Sequence, residues 1–430
     1  MVKKALVLAG GGTRGAYQNG ALRALRELGK DNWNIVTGTS IGALNGTLVV
    51  QGDYNAMSDL WLNLTSDQII SGKFPEDFRL ETLVNERNQL TSLFKNYVRD
   101  GGTDISPLIL RISRMFRPEA FFASEIDFSC VVVSVATRKP VFVTKEMMKQ
   151  YGRDWLIASA AAYPAFPIHK FDEGEFIDGG YYDNLPIDLA LRMGAEEVIA
   201  IDLNTHPQHP VFLDRPQITY IFPQIELAPF LDFGRETLRK YDIAGYNDVM
   251  KKFGRYDGVK YTFMRQYEVP EWFGQFYLEL LKLETRIRNA TNINERLRSD
   301  SVVTDKLKAR MHKAVLSEKD IYYGMMDSLL DMIGADVCQV YSLLEAEKLI
   351  LAAFAGTVEP DYVYIPSPYL KSVLEYVKTL DQKGIVEKIL HRLFYPSHEV
   401  VPDNIMLTVY PFEDALARFL MFMMKGLVNK

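Results

Sequence analysis

The run Ala5-Leu6-Val7-Leu8-Ala9-Gly10-Gly11-Gly12-Thr13-Arg14-Gly15 passes from strand through turn into helix. Ala5 to Leu8 is a short apolar run stopped by glycine, which reads as a buried strand. Ala21, Leu22, Leu25 and Leu28 then recur at helical spacing, and Gly29 is the stop. Glycines between such elements allow a sharp turn and leave N–H groups pointing into open space at a helix N-terminus. A nest of that kind binds negative charge, either a phosphate or the oxyanion of a tetrahedral intermediate. Arg14 either supports this loop, meets a phosphate, or caps local carbonyls at the surface.

The same grammar continues outward. Trp33 to Val36 reads as a second strand ending in Gly38, and a helix follows from Ile41 toward Val50. Ser129 to Val135 and Val141 to Thr144 are β-rich runs with a turn around Arg138-Lys139-Pro140. The spacing predicts a helix over Trp155 to Ala162, ending before Pro164. His169 to Phe171 and Glu175 to Ile177 flank Asp172-Glu173-Gly174, a hairpin signal. A helix over Asp188 to Met193 stops at Gly194, and Glu197 to Leu203 reads as a last strand. Strands alternating with helices predict an α/β fold with a mainly parallel sheet covered on both faces.

The character changes at His206-Pro207-Gln208-His209-Pro210, which fits neither regular helix nor central strand. We therefore divide the chain into 1–206 and a mostly helical region, 207–430. In the latter, Leu278, Leu281, Thr285 and Ile287, and again Tyr341, Leu344, Leu349 and Ala352, sit at helical spacing. A last helix, about Phe412 to Val428, gathers Phe412, Leu416, Phe419, Leu420, Met423 and Leu427 on one face. That face either packs into the helical region or docks on lipid or a partner.

A net charge of −6 argues against non-specific attraction to nucleic acid or to an anionic membrane. Cys130 and Cys338 are the only cysteines, too few for a disulfide framework and suited to a reducing compartment. The apolar run after Lys3 and Lys4 is too short for a signal-peptide core. No stretch approaches the roughly 20 apolar residues of a membrane span. We expect a soluble, cytoplasmic protein that meets any lipid from the aqueous side.

Gly38-Thr39-Ser40-Ile41-Gly42 has the G-x-S-x-G spacing of a nucleophile elbow between strand and helix. Gly38 and Gly42 permit a strained turn that exposes the Ser40 hydroxyl. The alternative is a tight helix start with Ser40 as its cap. Asp178-Gly179-Gly180 closes the hairpin strand and offers either a carboxylate close to another backbone or ordinary turn chemistry. A triad would also need a histidine, from His169, His206, His209, His312, His391 and His398. Chain order allows Ser40, Asp178, then His206. Only two strands precede the serine, fewer than an α/β-hydrolase places there, so a serine–aspartate pair is the simpler arrangement.

In order and spacing these motifs resemble the patatin-like phospholipase family over residues 1–206. Gly10, Gly11, Gly12, Arg14 and Gly15 match its oxyanion motif, Gly38 to Gly42 its elbow, and Asp178, Gly179 and Gly180 its aspartate motif. Ala158-Ser159-Ala160-Ala161-Ala162-Tyr163-Pro164 and Asp183-Asn184-Leu185-Pro186 also have the family's look. The resemblance implies a three-layer α/β/α domain and a Ser40–Asp178 dyad. It further implies hydrolysis of acyl esters in phospholipids or neutral lipids, without metal or organic cofactor; a lipid or phospholipid substrate would allow peripheral membrane contact. A lipid transacylase would share every motif. So would a binding protein on this fold that no longer turns over. A dinucleotide-binding protein would need an acidic residue ending the second strand, whereas Asp31 precedes it.

Overall fold

The computed structural model describes residues 2–71, 104–228, 230–290, 302–358, 381–396 and 409–428. Two compact units divide it, Met1–Lys252 and Phe253–Lys430. The first unit is built on an eight-stranded sheet. Its strands are β1 (Lys4–Leu8), β2 (Ile35–Thr39), β3 (Asp127–Ser134), β4 (Pro140–Thr144), β5 (His169–Phe171), β6 (Gly174–Asp178), β7 (Glu197–Ile201) and β8 (Ile218–Ile221). They run in the order β5-β6-β3-β2-β1-β7-β8, with β4 also paired to β3. Ala5 to Leu8 are fully buried, as an apolar run covered on both faces of a central strand must be.

The five strands from β3 to β8 in that order are parallel to their neighbours. β4 and β6 run antiparallel to β3, and β5 antiparallel to β6. The sheet is thus mixed, with a parallel centre. The physical reason is connection length: β3–β4 and β5–β6 are joined by tight turns, which only antiparallel neighbours allow. Flanking helices in this unit are α1 (Gly15–Glu27), α2 (Ile41–Val50), α3 (Tyr54–Leu62), α4 (Ser106–Met115), α5 (Pro118–Ala123), α6 (Met148–Ser159), α7 (Ile187–Arg192) and α8 (Arg235–Lys252).

The boundary expected at residue 206 falls inside this unit. β7 is not the last strand, because Ile218 to Ile221 add β8 in parallel beside it. Helix α8 then packs along α1 so closely that a Cβ on Gly20 would lie 1.7 Å from the Asp242 carbonyl oxygen. Asn19 and Arg23 of α1 both donate to the Asp242 carboxylate, and the Tyr17 hydroxyl donates to Asp248 at 2.8 Å. Glycine, buried polar pairs and a covered strand edge bind 207–252 to the sheet domain. The prolines around β8 hid a four-residue strand.

The second unit is mostly helical, as expected, with a small three-stranded sheet of β9 (Tyr256–Asp257), β10 (Thr262–Met264) and β11 (Val340–Tyr341). Its helices are α9 (Glu271–Ala290), α10 (Val302–Met311), α11 (Glu318–Met332), α12 (Leu343–Phe354), α13 (Gln382–Phe394) and α14 (Pro411–Val428). The expected helical period is right, and Ile287 and Tyr341 are buried, but other expected positions face outward. Leu278, Leu281, Leu344 and Leu349 are exposed, while Phe273, Phe276, Leu280, Leu283, Ile350 and Phe354 are buried.

In α14, Phe412, Leu416, Phe419, Leu420 and Met423 are buried in that core, and the Leu427 side chain lies outside the described residues. The Phe419 ring packs edge-on against Trp272 and Phe276, each at 5.1 Å between centroids. Of the two readings of this face, packing is the observed one. Phe419→Ala should therefore destabilise the unit by about 3–5 kcal/mol, read as a shift in the denaturant midpoint. A change below about 1 kcal/mol would contradict the packing role.

Candidate active site

Parallel neighbours point their C-terminal ends the same way, and β1 and β2 pair with Leu8 opposite Gly38. The turns that follow therefore emerge side by side at one edge of the sheet, where ligands bind in open α/β folds. After β1 comes the glycine loop, one 3-10 turn at Gly12–Arg14, and then α1 starting at the buried Gly15. After β2 comes Ser40, then α2. Ser40 has φ 56° and ψ −126°, a left-handed conformation that strains a residue with a side chain. It is the signature of an elbow rather than of a simple helix cap. Gly42 makes the turn possible, since a Cβ there would sit 2.2 Å from the Leu8 carbonyl oxygen. Gly38 backs onto Gly42 in the same way.

Asp178 ends β6 and is 6 % exposed. Its carboxyl accepts from the Gly180 N–H at 2.7 Å and feels the nearby Ser40 hydroxyl. Burial pushes this carboxyl up to about 6, against the lowering effect of the Ser40 hydroxyl and the Gly180 N–H. Gly179 lies against the β3 backbone at Val131.

The glycine loop is tied down from several sides. Asn184 grips Gly10 twice: its carbonyl accepts the Gly10 N–H at 3.0 Å, and its Nδ2 donates to the Gly10 carbonyl at 3.0 Å. Thr13 N–H donates to the Phe230 carbonyl at 2.8 Å, and Arg14 N–H donates to Gly11. Among the described residues these bonds occupy the loop's N–H groups except those of Gly11 and Gly12. Arg14 donates from Nε to the Ala228 carbonyl at 3.0 Å and from a terminal nitrogen to Asn204 at 3.3 Å, so it braces the loop.

Ser40, Asp178, Gly180 and the Gly10–Gly12 loop all line one cavity of about 560 Å³, with Arg14, Asn184 and Gln208 on its polar side and Ala162, Tyr181 and Phe230 on its apolar side. None of His169, His206 and His209 lines it. His169 Nε2 lies 3.0 Å from Asp154, and His209 Nε2 lies 3.4 Å from Asp183, which raises the His209 pKa. His312 and His391 belong to the second unit, and His398 lies outside the described residues. Asp31 is paired with Arg26 at 3.6 Å ahead of β2, so the end of that strand carries no carboxylate for a ribose.

Sequence reasoning assigned no role to Asn184, Asp202 or Gln208. Asp202 is fully buried and accepts from Gln208 Nε2 at 2.6 Å, while the Gln208 amide oxygen accepts from Asn184. The chain Asp202–Gln208–Asn184–Gly10 carries order from the sheet edge to the loop. Asn184 stands in a quoted motif, but Gln208 lies in the proline-broken stretch, where no periodicity marks it.

Residues 6–191 match the family model described as patatin-like phospholipase. Patatin-like phospholipase domain-containing protein 7 of Mus musculus is 29 % identical over 204 residues, 47 % of this chain and 14 % of that protein. Lysophospholipase NTE1 of Mycosarcoma maydis is 28 % identical over 201 residues, 46 % of this chain and 10 % of that protein. The chain thus spans only a small part of the length of these curated relatives. Among solved structures, VipD from Legionella pneumophila is similar at a TM-score of 0.39 and 13 % identity, over 96 % of this chain and 91 % of that one. Residues 6–191 of the chain thus match the patatin-like phospholipase family.

Proposed function

We propose that the first unit is a lipid acyl hydrolase, a phospholipase A-like esterase, with Ser40 as nucleophile and Asp178 as its base. The observation that carries this reading is that Ser40, Asp178 and the glycine loop line one cavity. Asp178 takes the hydroxyl proton as Ser40 attacks the ester carbonyl. The Gly11 and Gly12 N–H groups receive the oxyanion, each such donor lowering the barrier by about 3–4 kcal/mol. The alcohol or lyso-lipid leaves with the proton from Asp178, and water activated by the same carboxylate releases the acid from the acyl-serine.

Burial makes Asp178 a better base than an exposed aspartate, because a conjugate acid nearer the working pH accepts a proton more readily. The apolar side of the cavity, Ala162, Tyr181 and Phe230, suits an acyl chain. No described helix is long and apolar enough to cross a membrane, and the reading extends to a cytoplasmic enzyme meeting its lipid at an aqueous interface.

A fluorophosphonate probe should label Ser40, and Ser40→Ala should abolish both the labelling and the acid released from a mixed lipid panel. Persistent labelling in that variant rules out the nucleophile. Alanine at His169, His206 or His209 should leave most turnover. For the wild type, kcat/KM should rise through about pH 6 and then level off.

Asp178→Asn separates chemistry from folding. The wild-type carboxyl keeps its proton in the folded state up to about pH 6, whereas the unfolded chain loses it near 4. Stability therefore falls as pH rises across that window. The asparagine variant should lose nearly all turnover yet gain stability relative to wild type, by on the order of a few kcal/mol above pH 6 and by little below pH 4. Equal pH dependence of the two unfolding curves would remove the buried-carboxyl argument.

A further inference from the structure

Ser40 and Asp178 follow strands that are not neighbours. β3 lies between β2 and β6, with Val131 opposite Thr39 on one side and Val132 opposite Asp178 on the other. Two strand spacings separate the two backbones by about 10 Å, near the limit at which a serine hydroxyl and an aspartate carboxyl can share a proton. Something must hold the two chain ends across the top of β3.

The turn that closes α6 lies there. Ser159, the last residue of that helix, is fully buried, and its hydroxyl donates to the Val131 carbonyl of β3 at 2.9 Å. With its proton so committed, the oxygen accepts the Ser40 N–H at 3.0 Å. Two residues on, the Ala161 carbonyl accepts the Asp178 N–H at 2.9 Å. One short turn, anchored on β3, therefore holds the backbone of both groups. The bond to Ser40 falls on the residue whose φ of 56° most needs an external restraint.

We propose that Ser159 is a positioning residue that sets the Ser40–Asp178 separation through the Ser40 backbone. The inference rests on the reading of these two as the reacting pair. Removing the Ser159 hydroxyl frees the Ser40 N–H and lets the elbow relax, and displacements of about 1 Å in such pairs cost on the order of 100-fold in rate. A merely structural serine would lower stability without touching the chemical step.

The test uses the full chain with Ser159→Ala and Ser159→Thr, a soluble short-chain ester, and the fluorophosphonate probe. In the alanine variant, kcat and the rate of probe capture at Ser40 should fall together by about 10- to 100-fold, with KM within about two-fold and full labelling at long times. Threonine, which keeps the hydroxyl, should restore most of the rate. Amide exchange at Ser40 should be faster in the alanine variant than in wild type. Should either of these proteins fail to fold, Ser159→Cys, of similar shape but a weaker acceptor, takes the same measurements. Unchanged capture rate, a loss confined to KM, or unchanged exchange at Ser40 overturns the proposal. If wild type captures the probe normally and only these comparisons fail, the hydrolase reading stands. If wild type captures none at Ser40, the reacting pair falls, and the proposed role of Ser159 falls with it.

Discussion

The in-register parallel pairing of β1 and β2 is the constraint on which the site depends. It sets the glycine loop and Ser40 side by side, and it works only because α2 can start immediately above the end of β1, with Gly42 against the Leu8 carbonyl. A side chain at Gly42 would push the elbow off the sheet. The strained backbone of Ser40, worth roughly 1–3 kcal/mol, then needs several restraints at once. The Thr39 hydroxyl donates to the Asp183 carbonyl, the Ser40 carbonyl accepts from Ala43 and Leu44, and Ser159 takes the remaining N–H. Strain persists where its surroundings over-determine it.

Two buried carboxylates at the same sheet edge differ sharply in their supply of hydrogen-bond donors. Asp202 is fully buried and accepts from Leu203 N–H, Asn204 N–H, Gln208 N–H, Gln208 Nε2 and the Tyr220 hydroxyl. With five donors, its lone pairs are taken and its position is fixed. Asp178, nearly as buried, accepts from the Gly180 N–H. It keeps acceptor capacity, and desolvation keeps its proton affinity high. Asp202 is a cornerstone for Gln208 and Asn184. Asp178 is left able to exchange a proton.

Much of this was legible in the sequence because its signals are local. An apolar run, a glycine cluster and a helical repeat within a few residues locate β1, the loop and α1, and the same holds for β2, Ser40 and α2. The hairpin carrying Asp178 announces itself by Asp172-Glu173-Gly174. What stayed hidden depends on distant partners. That β6 lies beside β3 rather than beside β2 is a matter of strand order, which no local pattern encodes. Asn184 matters through its grip on Gly10, and Gln208 through Asp202. The domain edge at Lys252 depends on α8 crossing α1 at Gly20, a contact made by residues far apart in the chain.

Helix α14 shows why an amphipathic pattern alone is ambiguous. Its Phe and Met face would suit a lipid surface as well as a core. An interfacial helix, however, leaves its charged face in water. Here Asp414 is fully buried and accepts from Arg418 Nε at 2.6 Å, while Arg418, itself buried, also reaches Glu279 of α9 at 3.3 Å. Burying an ion pair is costly unless each charge meets its partner in good geometry, so such a pair marks a helix enclosed on its polar side too. The spacing of Asp414 and Arg418, four residues apart, serves an exposed helix just as well, and composition cannot tell the two apart. Glu279 breaks the tie: it reaches Arg418 from α9, a contact that a helix lying free on a lipid surface would not have.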